Sequence, residues 1–177
     1  MSKAVLISIR PEWCQKIMAG RKTIEVRKTR PKMNPPFKCY IYRSVQGGVI
    51  GEFVCDHIFE RIVRVGASCE APKYCICDWN MDCTPLDTLL ADACLTKDEL
   101  EKYLDGGVGY GWHISNLKIY DTPKELIEFH TWKKCKSCNK SGYESTACIY
   151  DENCIIPAAI TKAPQSWCYV EEEIWND

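Results

Sequence analysis

Three ionisable side chains with complementary chemistry lie close together near the start of this 177-residue chain. They are Lys22, Glu25 and Arg27, within the segment GRKTIEVR at residues 20–27. The two cations can bind phosphate or polarise a carbonyl group, and the carboxylate can accept a hydrogen bond from an amino group or take up a proton. An exposed strand with ordinary surface ion pairs is the alternative interpretation. The segment therefore indicates either a solvated polar face or a polar cleft.

Local signals on either side of Gly20 predict the elements that carry these residues. Residues 11–19 are expected to form a short helix, because a proline occupies the first helical position and Gly20 can adopt the left-handed conformation of a cap. A strand follows at once, and its period of two places Glu25 and Arg27 on one face. Strict alternation puts Lys22 on the opposite face, unless the turn after Gly20 re-aims it.

The rest of the chain shows several strand patterns and a few short helical ones. Apolar alternation and turn residues predict strands over residues 4–9, 37–42, 49–62, 109–120 and 167–173. Helical periodicity predicts helices over residues 86–93, 96–104 and 123–129. The second of these begins with a capping box, Thr96 with Glu99. Strands that outnumber helices and are joined by hairpins indicate an α+β fold, a small closed β-barrel with short peripheral helices.

An ordered set of motifs resembles the ASCH domain family, PUA-like β-barrels related to the RNA-binding PUA domains. The segment at residues 20–27 fits the family pattern GxKxxExR, with Gly20, Lys22, Glu25 and Arg27 at its fixed positions. The similarity also covers VLISIRPEW at residues 5–13 and YGWHISNL at residues 110–117. The resemblance implies a PUA-like closed barrel, and the chain length indicates one domain over residues 1–177.

The same resemblance implies a ligand cleft between the first helix and the motif strand, lined by Lys22, Glu25 and Arg27. RNA or a nucleotide is the expected partner. The alternative is a hydrolase of the same family, a ribonuclease or an amidohydrolase on modified nucleosides, with Lys22 and Glu25 as candidate catalytic residues. The amidohydrolase branch carries a nucleophilic threonine where this chain has Glu25, and Thr23 lies two residues away. A binding protein is therefore favoured over that hydrolase.

Flat and basic side chains extend the expected ligand site. Arg10 and Arg43 add cations, and Trp13, Trp112 and His113 add rings on which an unpaired base can stack. Trp13 is favoured because it lies one turn before the motif. Tryptophans in the core and a structural histidine are the alternative interpretation of these residues.

Thirteen cysteines and the lack of an export signal indicate free thiols or metal in a reducing compartment. Cys135 and Cys138 form a CxxC knuckle that Cys148 and Cys154 follow, which predicts a tetrahedral structural zinc site. An insertion with free thiols is the alternative. A second, less regular set of cysteines consists of Cys69, Cys75, Cys77 and Cys83. Neither set is expected to be catalytic, and no organic cofactor is expected.

Charge is distributed unevenly, although the net charge is only −1. Residues 1–43 carry a balance of +9 and the remainder a balance of −10, which suggests a basic face unless folding interleaves the two parts. Cysteine-rich insertions are expected at about residues 66–85 and 133–163, and they provide a third hypothesis, a protein-interaction surface. No segment has the length of a membrane span, so a cytoplasmic protein is expected.

Overall fold

The computed structural model describes residues 3–64, 74–77, 83–84, 86–134 and 155–172. The strands of these ranges are β1 (Lys3–Ile9), β2 (Ile24–Arg27), β3 (Phe37–Arg43), β4 (Val49–Cys55), β5 (Ile58–Arg64), β6 (Tyr74–Cys77), β7 (Cys83–Thr84), β8 (Gly109–His113), β9 (Ser115–Lys124), β10 (His130–Lys134), β11 (Ile155–Ala159) and β12 (Trp167–Glu171). The α-helices are α1 (Pro11–Met18), α2 (Leu86–Ala93) and α3 (Lys97–Leu104). A 3₁₀ turn covers Leu126–Glu128.

Two five-stranded sheets form the body of the described structure. The first has the order β12-β1-β3-β4-β9, and the second has the order β2-β8-β5-β6-β7. A separate pair joins β10 to β11. β1 and β3 run parallel, whereas the other pairs run antiparallel. The parallel pair is possible because α1 and β2 form the crossover between β1 and β3.

β1 lies inside the first sheet and is buried on both faces. Val5, Ile7 and Ile9 pack into one core, which also contains Trp112, and Ala4 and Leu6 pack into another. This dual burial explains the nearly continuous apolar run of the strand. The second sheet buries its outer face under α2 and α3, in a third core that includes Ile24 and Val26.

The predicted α+β class is confirmed, since strands dominate and the α-helices are short. The predicted closed barrel is not found among the hydrogen-bond ladders of residues 3–64, 74–77, 83–84, 86–134 and 155–172. Those ladders form two separate five-stranded sheets, in which β12 and β9 are the edges of the first and β2 and β7 the edges of the second.

Two of the predicted long strands are divided between the sheets. The segment 49–62 consists of β4 and then β5, separated by Asp56 and His57. The segment 109–120 contains β8 and most of β9, separated at Ile114. The apolar pattern continues through both breaks, so hydrophobicity alone does not locate the change of sheet. The predicted helix 123–129 shrinks to a 3₁₀ turn because β9 extends through Lys124.

The two expected insertions contribute strands where they are described. β6 and β7 lie in the first and extend the second sheet, and β11 lies in the second and pairs with β10. The predicted domain limits stay a prediction. In the described parts of the chain, every helix is too short or too polar to cross a membrane.

Candidate functional site: a buried charged cluster

The turn that ends α1 aims Lys22 at the motif strand. Gly20 adopts a φ of 67°, and the backbone N–H groups of Arg21 and Lys22 both donate to the carbonyl of Lys16, at 3.0 and 3.1 Å. β2 begins only at Ile24, so the alternation of the strand does not govern Lys22. This turn therefore allows Lys22 to lie on the same side as Glu25.

Glu25 and Arg27 share the inner face of β2, as the period of two predicts. β2 pairs antiparallel with β8, which sets Glu25 opposite Trp112 and Arg27 opposite Tyr110. The intervening Val26 packs under the helices instead. Since directly opposed residues of paired strands point to one face, Glu25 shares the side of the core tryptophan Trp112.

Lys22, Glu25 and Arg27 form one buried ion-pair network, called here the charged cluster. The Lys22 ammonium nitrogen lies 3.2 Å from Glu25 Oε2, and Arg27 Nη2 lies 3.0 Å from Glu25 Oε1. The three side chains expose only 2%, 8% and 10% of their surface. The three side chains are therefore buried, and the alternative interpretation of a solvated polar face is wrong.

Backbone carbonyls hold the two cations in place. Lys22 Nζ donates to the carbonyl of Ala93 at 2.7 Å, at the end of α2. Arg27 Nη2 also donates to the carbonyl of Ser8 at 2.6 Å, and Arg27 Nη1 donates to Ser166 Oγ at 3.4 Å. The cluster thus connects β2 with β1, α2 and the segment before β12.

The half-buried ring of Trp13 lies beside the cluster. The ammonium nitrogens of Lys16 and Lys22 lie 4.3 and 5.0 Å from the ring centroid, within the range of cation–π attraction. Trp13 also packs against the core that contains Trp112. The ring is therefore anchored on one side and remains partly accessible.

The pKa of the Cys14 thiol depends on the charges around it. Burial, with a smaller contribution from the Glu25 carboxylate, raises the pKa of the Cys14 thiol to about 12, and the guanidinium of Arg43 opposes this rise. The thiol donates to the carbonyl of Ile9 at 3.6 Å. Ile9 lies directly opposite Arg43 in the parallel pair of β1 with β3, so Arg43 lies on the α1 side of the cluster.

Tyr103 of α3 lies near the other end of the cluster. Burial raises the pKa of its phenol, Arg27 lowers it, and Glu25 raises it. The Lys28 ammonium nitrogen lies 5.4 Å from the centroid of the Tyr103 ring. The tyrosine is a neighbour of the site that the sequence analysis did not include, because α3 lies far from the motif in sequence.

Trp112 is fully buried, and it packs edge-on against Phe37 and tilted against Trp167, with centroids 5.9 Å apart in each case. Its ring faces therefore belong to the core, and stacking of a base on this ring would require the core to open. The relation of Trp112 to the cluster is its position opposite Glu25 in the pairing of β8 with β2.

Arg10 and His113 lie apart from the cluster. Arg10 is 76% exposed and contacts Glu12 at 4.0 Å. His113 Nδ1 lies 2.6 Å from Asp56 Oδ1, and alternation along β8 points its ring away from the face of Trp112. The structure thus brings together Lys22, Glu25 and Arg27, with Trp13 and Arg43 alongside.

The cysteine predictions fall mostly outside the described residues. Cys69, Cys135, Cys138, Cys148 and Cys154 lie there, as do the side chains of Cys75, Cys77 and Cys83. Within the described ranges, no group of three or more His, Cys, Asp or Glu side chains has a metal-binding arrangement. The zinc site stays a prediction. Five cysteines in regular elements are predicted from the sequence to be buried like small apolar residues. Cys14, Cys39 and Cys55 are buried free thiols, whereas the free thiols of Cys94 and Cys168 are only partly buried.

Two serines of the site were missed by the sequence analysis. Ser8 is a polar residue inside the apolar run VLISI, which is a local signal that could have identified it. Its hydroxyl donates to the carbonyl of Pro164 at 2.6 Å. Ser166 carries no comparable signal, because its contact with Arg27 joins residues 139 positions apart.

The chemistry available to the cluster is that of a cationic site with one carboxylate. Both Glu25 oxygens already accept from cations, and Lys22 Nζ already donates to Ala93. Such an arrangement suits binding of an anionic group. Proton exchange between Lys22 and Glu25 is the acid–base step that the 3.2 Å contact would permit.

Comparisons with known proteins agree with this architecture. The model of the ASCH domain matches residues 7–98, slightly more than half of the chain, whereas no curated protein matches the chain significantly. The crystal structure of ASCH from Zymomonas mobilis is similar, with a TM-score of 0.56 and 16% identity over 96% of this chain and 88% of that one.

Two variants of that Zymomonas mobilis protein give comparable matches at 16% identity. A tyrosine-to-phenylalanine variant has a TM-score of 0.55, covering 97% of this chain and 92% of the other. A serine-to-alanine variant has a TM-score of 0.56, covering 96% and 89%. At this level of identity the likeness shows a shared fold.

Proposed function

Since the chain belongs to the ASCH domain family, we propose that it binds RNA or a nucleotide between α1 and β2, at the charged cluster. Lys22 and Arg27 attract the anionic ligand, and Glu25 holds the two cations at a fixed separation. Trp13 provides the adjacent aromatic surface. The proposal concerns binding, and it assigns no reaction to the site.

The charge balance of the cluster carries this proposal. Two buried cations share one buried carboxylate, and taking charge out of water is costly unless it is compensated. The carbonyls of Ala93 and Ser8 solvate the cations only partially, since a carbonyl supplies no net charge. A phosphate group would supply the missing negative charge.

Trp13 supports a nucleotide over a simple anion. Its ring is half-buried beside Lys22, and the side chain that covers it, Lys16, is itself only partly buried. A base could displace the Lys16 ammonium group and stack on the ring. Stacking of a base on an aromatic residue contributes about 1–3 kcal/mol.

A basic loop next to the cluster supports RNA among these ligands. Lys28 and Lys32 follow Arg27 and are exposed. The loop is held against β12, because Tyr169 Oη accepts from the backbone N–H of Lys32 at 2.7 Å and Trp167 Nε1 donates to Thr29 Oγ1 at 3.0 Å. An ordered pair of lysines can bind the phosphates that flank a bound nucleotide.

Fluorescence anisotropy with a short labelled single-stranded RNA tests the proposal. The dissociation constant should rise with salt concentration, as it does when phosphate contacts release counterions. Lys22→Met keeps an unbranched side chain and removes the cation, so affinity should fall about tenfold, the value of one charge-assisted hydrogen bond. Lys97→Gln is the matched control, because Lys97 is exposed on α3 and pairs with Asp87.

Two results would contradict the proposal. One is an affinity for RNA and for nucleotides that stays unmeasurable at low salt in a protein that circular dichroism shows to be folded. The other is an equal loss of affinity in Lys22→Met and Lys97→Gln. The second result would assign RNA binding to general surface charge and not to the cluster.

A hydrolase that uses Lys22 and Glu25 is the second candidate, favoured by the 3.2 Å contact between their charged groups. It predicts turnover of RNA or of an acylated nucleoside that Glu25→Gln abolishes while RNA binding is retained. This chain has Glu25 at the position where the family's amidohydrolases carry their threonine nucleophile, so the same nucleophile is not available here. Absence of turnover in wild-type protein that binds RNA would exclude this candidate.

A further inference from the structure

Three buried N–H groups around the cluster have no hydrogen-bond partner among the described residues. They are Arg27 Nε, Arg43 Nε and Trp112 Nε1. Leaving such a donor unsatisfied in the interior opposes folding, so an unpaired group in a folded protein calls for an explanation. All three can only donate, since neither a guanidinium nor an indole N–H accepts. The group that would satisfy them is an acceptor.

The three donors are grouped near one carboxylate. Trp112 lies directly opposite Glu25, and Arg27 follows Glu25 by two residues on the same face of β2. Arg27 and Trp112 are therefore diagonal neighbours on adjacent strands. Arg43 lies directly opposite Ile9 in the parallel pair of β3 with β1, and the carbonyl of Ile9 accepts from the Cys14 thiol of α1 at 3.6 Å.

The Glu25 carboxylate is not free to accept from a ligand. One of its oxygens contacts Lys22 and the other contacts Arg27. An amino group of a base would therefore have to displace a cation to reach Glu25, whereas an oxyanion would meet the three unpaired donors. The polarity of the site favours an acceptor-only group.

The formal charges define how negative that group should be. Lys22, Arg27 and Arg43 contribute three positive charges, and Glu25 contributes one negative charge, so the balance is +2. A phosphate monoester carries about −1.5 to −2 near neutral pH, whereas a phosphodiester within an RNA chain carries only one negative charge. A monoester matches the balance of the site more closely.

We propose that the charged cluster and Arg43 bind a phosphate monoester, the terminal phosphate of a mononucleotide or of an RNA end, in preference to an internal phosphodiester. The inference rests on the proposed function, because it names the part of the nucleotide that enters the same site. Arg27 and Arg43 donate through their Nε atoms, and Trp112 donates through its indole edge.

Isothermal titration calorimetry with a series of matched ligands tests this preference. The series consists of the four common nucleoside 5′-monophosphates, their methyl phosphodiesters and the parent nucleosides. The monoester should bind at least about tenfold more tightly than the diester, since one further charge-assisted contact has about that value. Inorganic phosphate should compete with the mononucleotide.

The two sources of the monoester are separated with RNA oligonucleotides of one sequence. One carries a 5′-phosphate, one a 3′-phosphate, and one has hydroxyls at both ends. Preference for a phosphorylated oligonucleotide over the mononucleotide identifies an RNA end as the ligand. Preference for the mononucleotide identifies a free nucleotide.

Arg43→Gln is the diagnostic variant, because Arg43 is only half-buried and the glutamine keeps a polar side chain without the charge; circular dichroism checks that the variant is folded. It should lower the ratio of monoester to diester affinity, because it removes the cation that the second negative charge of the monoester requires. Lys118→Gln removes an exposed cation from β9 and should leave that ratio unchanged.

The outcomes that overturn the inference differ from those that overturn the proposed function. Equal affinity for the monoester and the diester would refute the monoester preference and leave RNA or nucleotide binding intact. An unchanged ratio in Arg43→Gln would also refute it. If no nucleotide and no RNA binds, both proposals fail.

Discussion

At the scale of single residues, Glu25 is the side chain on which the buried charges depend. It is the one carboxylate that contacts both Lys22 and Arg27 in the described structure. Three apolar side chains of similar shape would be buried without any cost of removing charge from water. A buried ion-pair network is therefore weak evidence of a role in stability and stronger evidence of a role in function. The buried position of Glu25 on β2, between Ile24 and Val26, is the reason to assign the site there.

Glu25→Gln should destabilise the protein by about 3–5 kcal/mol, because it leaves two buried cations without a counter-charge. Urea denaturation measured by circular dichroism gives the free energy of unfolding of both forms. Glu12→Gln is the control, since Glu12 is exposed and lies 4.0 Å from Arg10, and it should change stability by less than about 1 kcal/mol. Equal unfolding midpoints for Glu25→Gln and wild type would show that the cluster is not held by this charge.

The Asp56–His113 pair predicts a pH-dependent contribution to stability. The hydrogen bond from His113 is the main cause that lowers the pKa of Asp56 in the folded state. Stability gained from the ionised carboxylate is therefore present above the ordinary pKa of an aspartate, and it is lost as the pH falls through the lowered value.

Asp56→Asn should consequently destabilise the protein more at about pH 6 than at about pH 2.5. Thermal unfolding of the variant and the wild type at both pH values measures the difference. Asp121→Asn, at an exposed position of β9, is the control and should show no such dependence. A penalty for Asp56→Asn that is equal at both pH values would rule out this linkage.

At the scale of elements, α3 supports the motif strand from behind. Its Leu100 and Leu104 pack in the same core as Ile24 and Val26, so the position of β2 depends on the helix. The helix begins with the predicted capping box: Thr96 Oγ1 accepts from the backbone N–H of Glu99 at 3.2 Å, and Glu99 Oε2 accepts from that of Thr96 at 2.8 Å.

Thr96→Ala should lower the free energy of unfolding by about 1 kcal/mol, the usual value of an N-cap side chain. Urea unfolding measures the loss. Thr122→Ala, at an exposed position of β9, removes the same hydroxyl away from any helix end and serves as the control. If both variants lose the same stability, the cap contributes nothing specific.

Local signals predicted the elements of the site better than its contacts. Each of these signals involves only a few neighbouring residues: the proline and glycine at the ends of α1, the capping box of α3 and the alternation of β2. Lys22 reaches the carbonyl of Ala93 across 71 positions of sequence, and Arg27 reaches Ser166 across 139. Such contacts follow from how distant elements pack, so no nearby pattern specifies them.

The sequence pattern also does not predict where a long apolar segment is divided between the two sheets, because pairing partners depend on distant strands. β4 and β5 together have the apolar composition of one long strand, as do β8 and β9. The chain changes sheet at Asp56–His57 and at Ile114, where the next strand finds a different partner. Pairing partners are a property of the assembled sheets, whereas the alternation of residues reports only burial.

At the scale of the whole molecule, the site is assembled from distant parts of the chain. The region that matches the family model, residues 7–98, supplies the charged cluster and Trp13. β8, which pairs with β2, and the segment that ends in β12 lie beyond that region. Ser166 accepts from Arg27, and Trp167 packs against Trp112. The C-terminal strand is therefore part of the site as well as an edge of the first sheet.

A chain that ends after Thr161 should lose cooperative folding. Without β12, strand β1 loses its antiparallel partner and becomes an edge, and the core around Ala4, Leu6 and Tyr40 loses Val170. Urea denaturation monitored by circular dichroism should then give a broad, shallow change in place of a sigmoidal transition. A chain that ends after Glu172 keeps β12 and should retain both the sigmoidal transition and RNA affinity. A sigmoidal transition in the shorter chain would show that the first sheet folds without its edge strand. Retained RNA affinity in that chain would show that Arg27 contributes to RNA binding without its contact with Ser166.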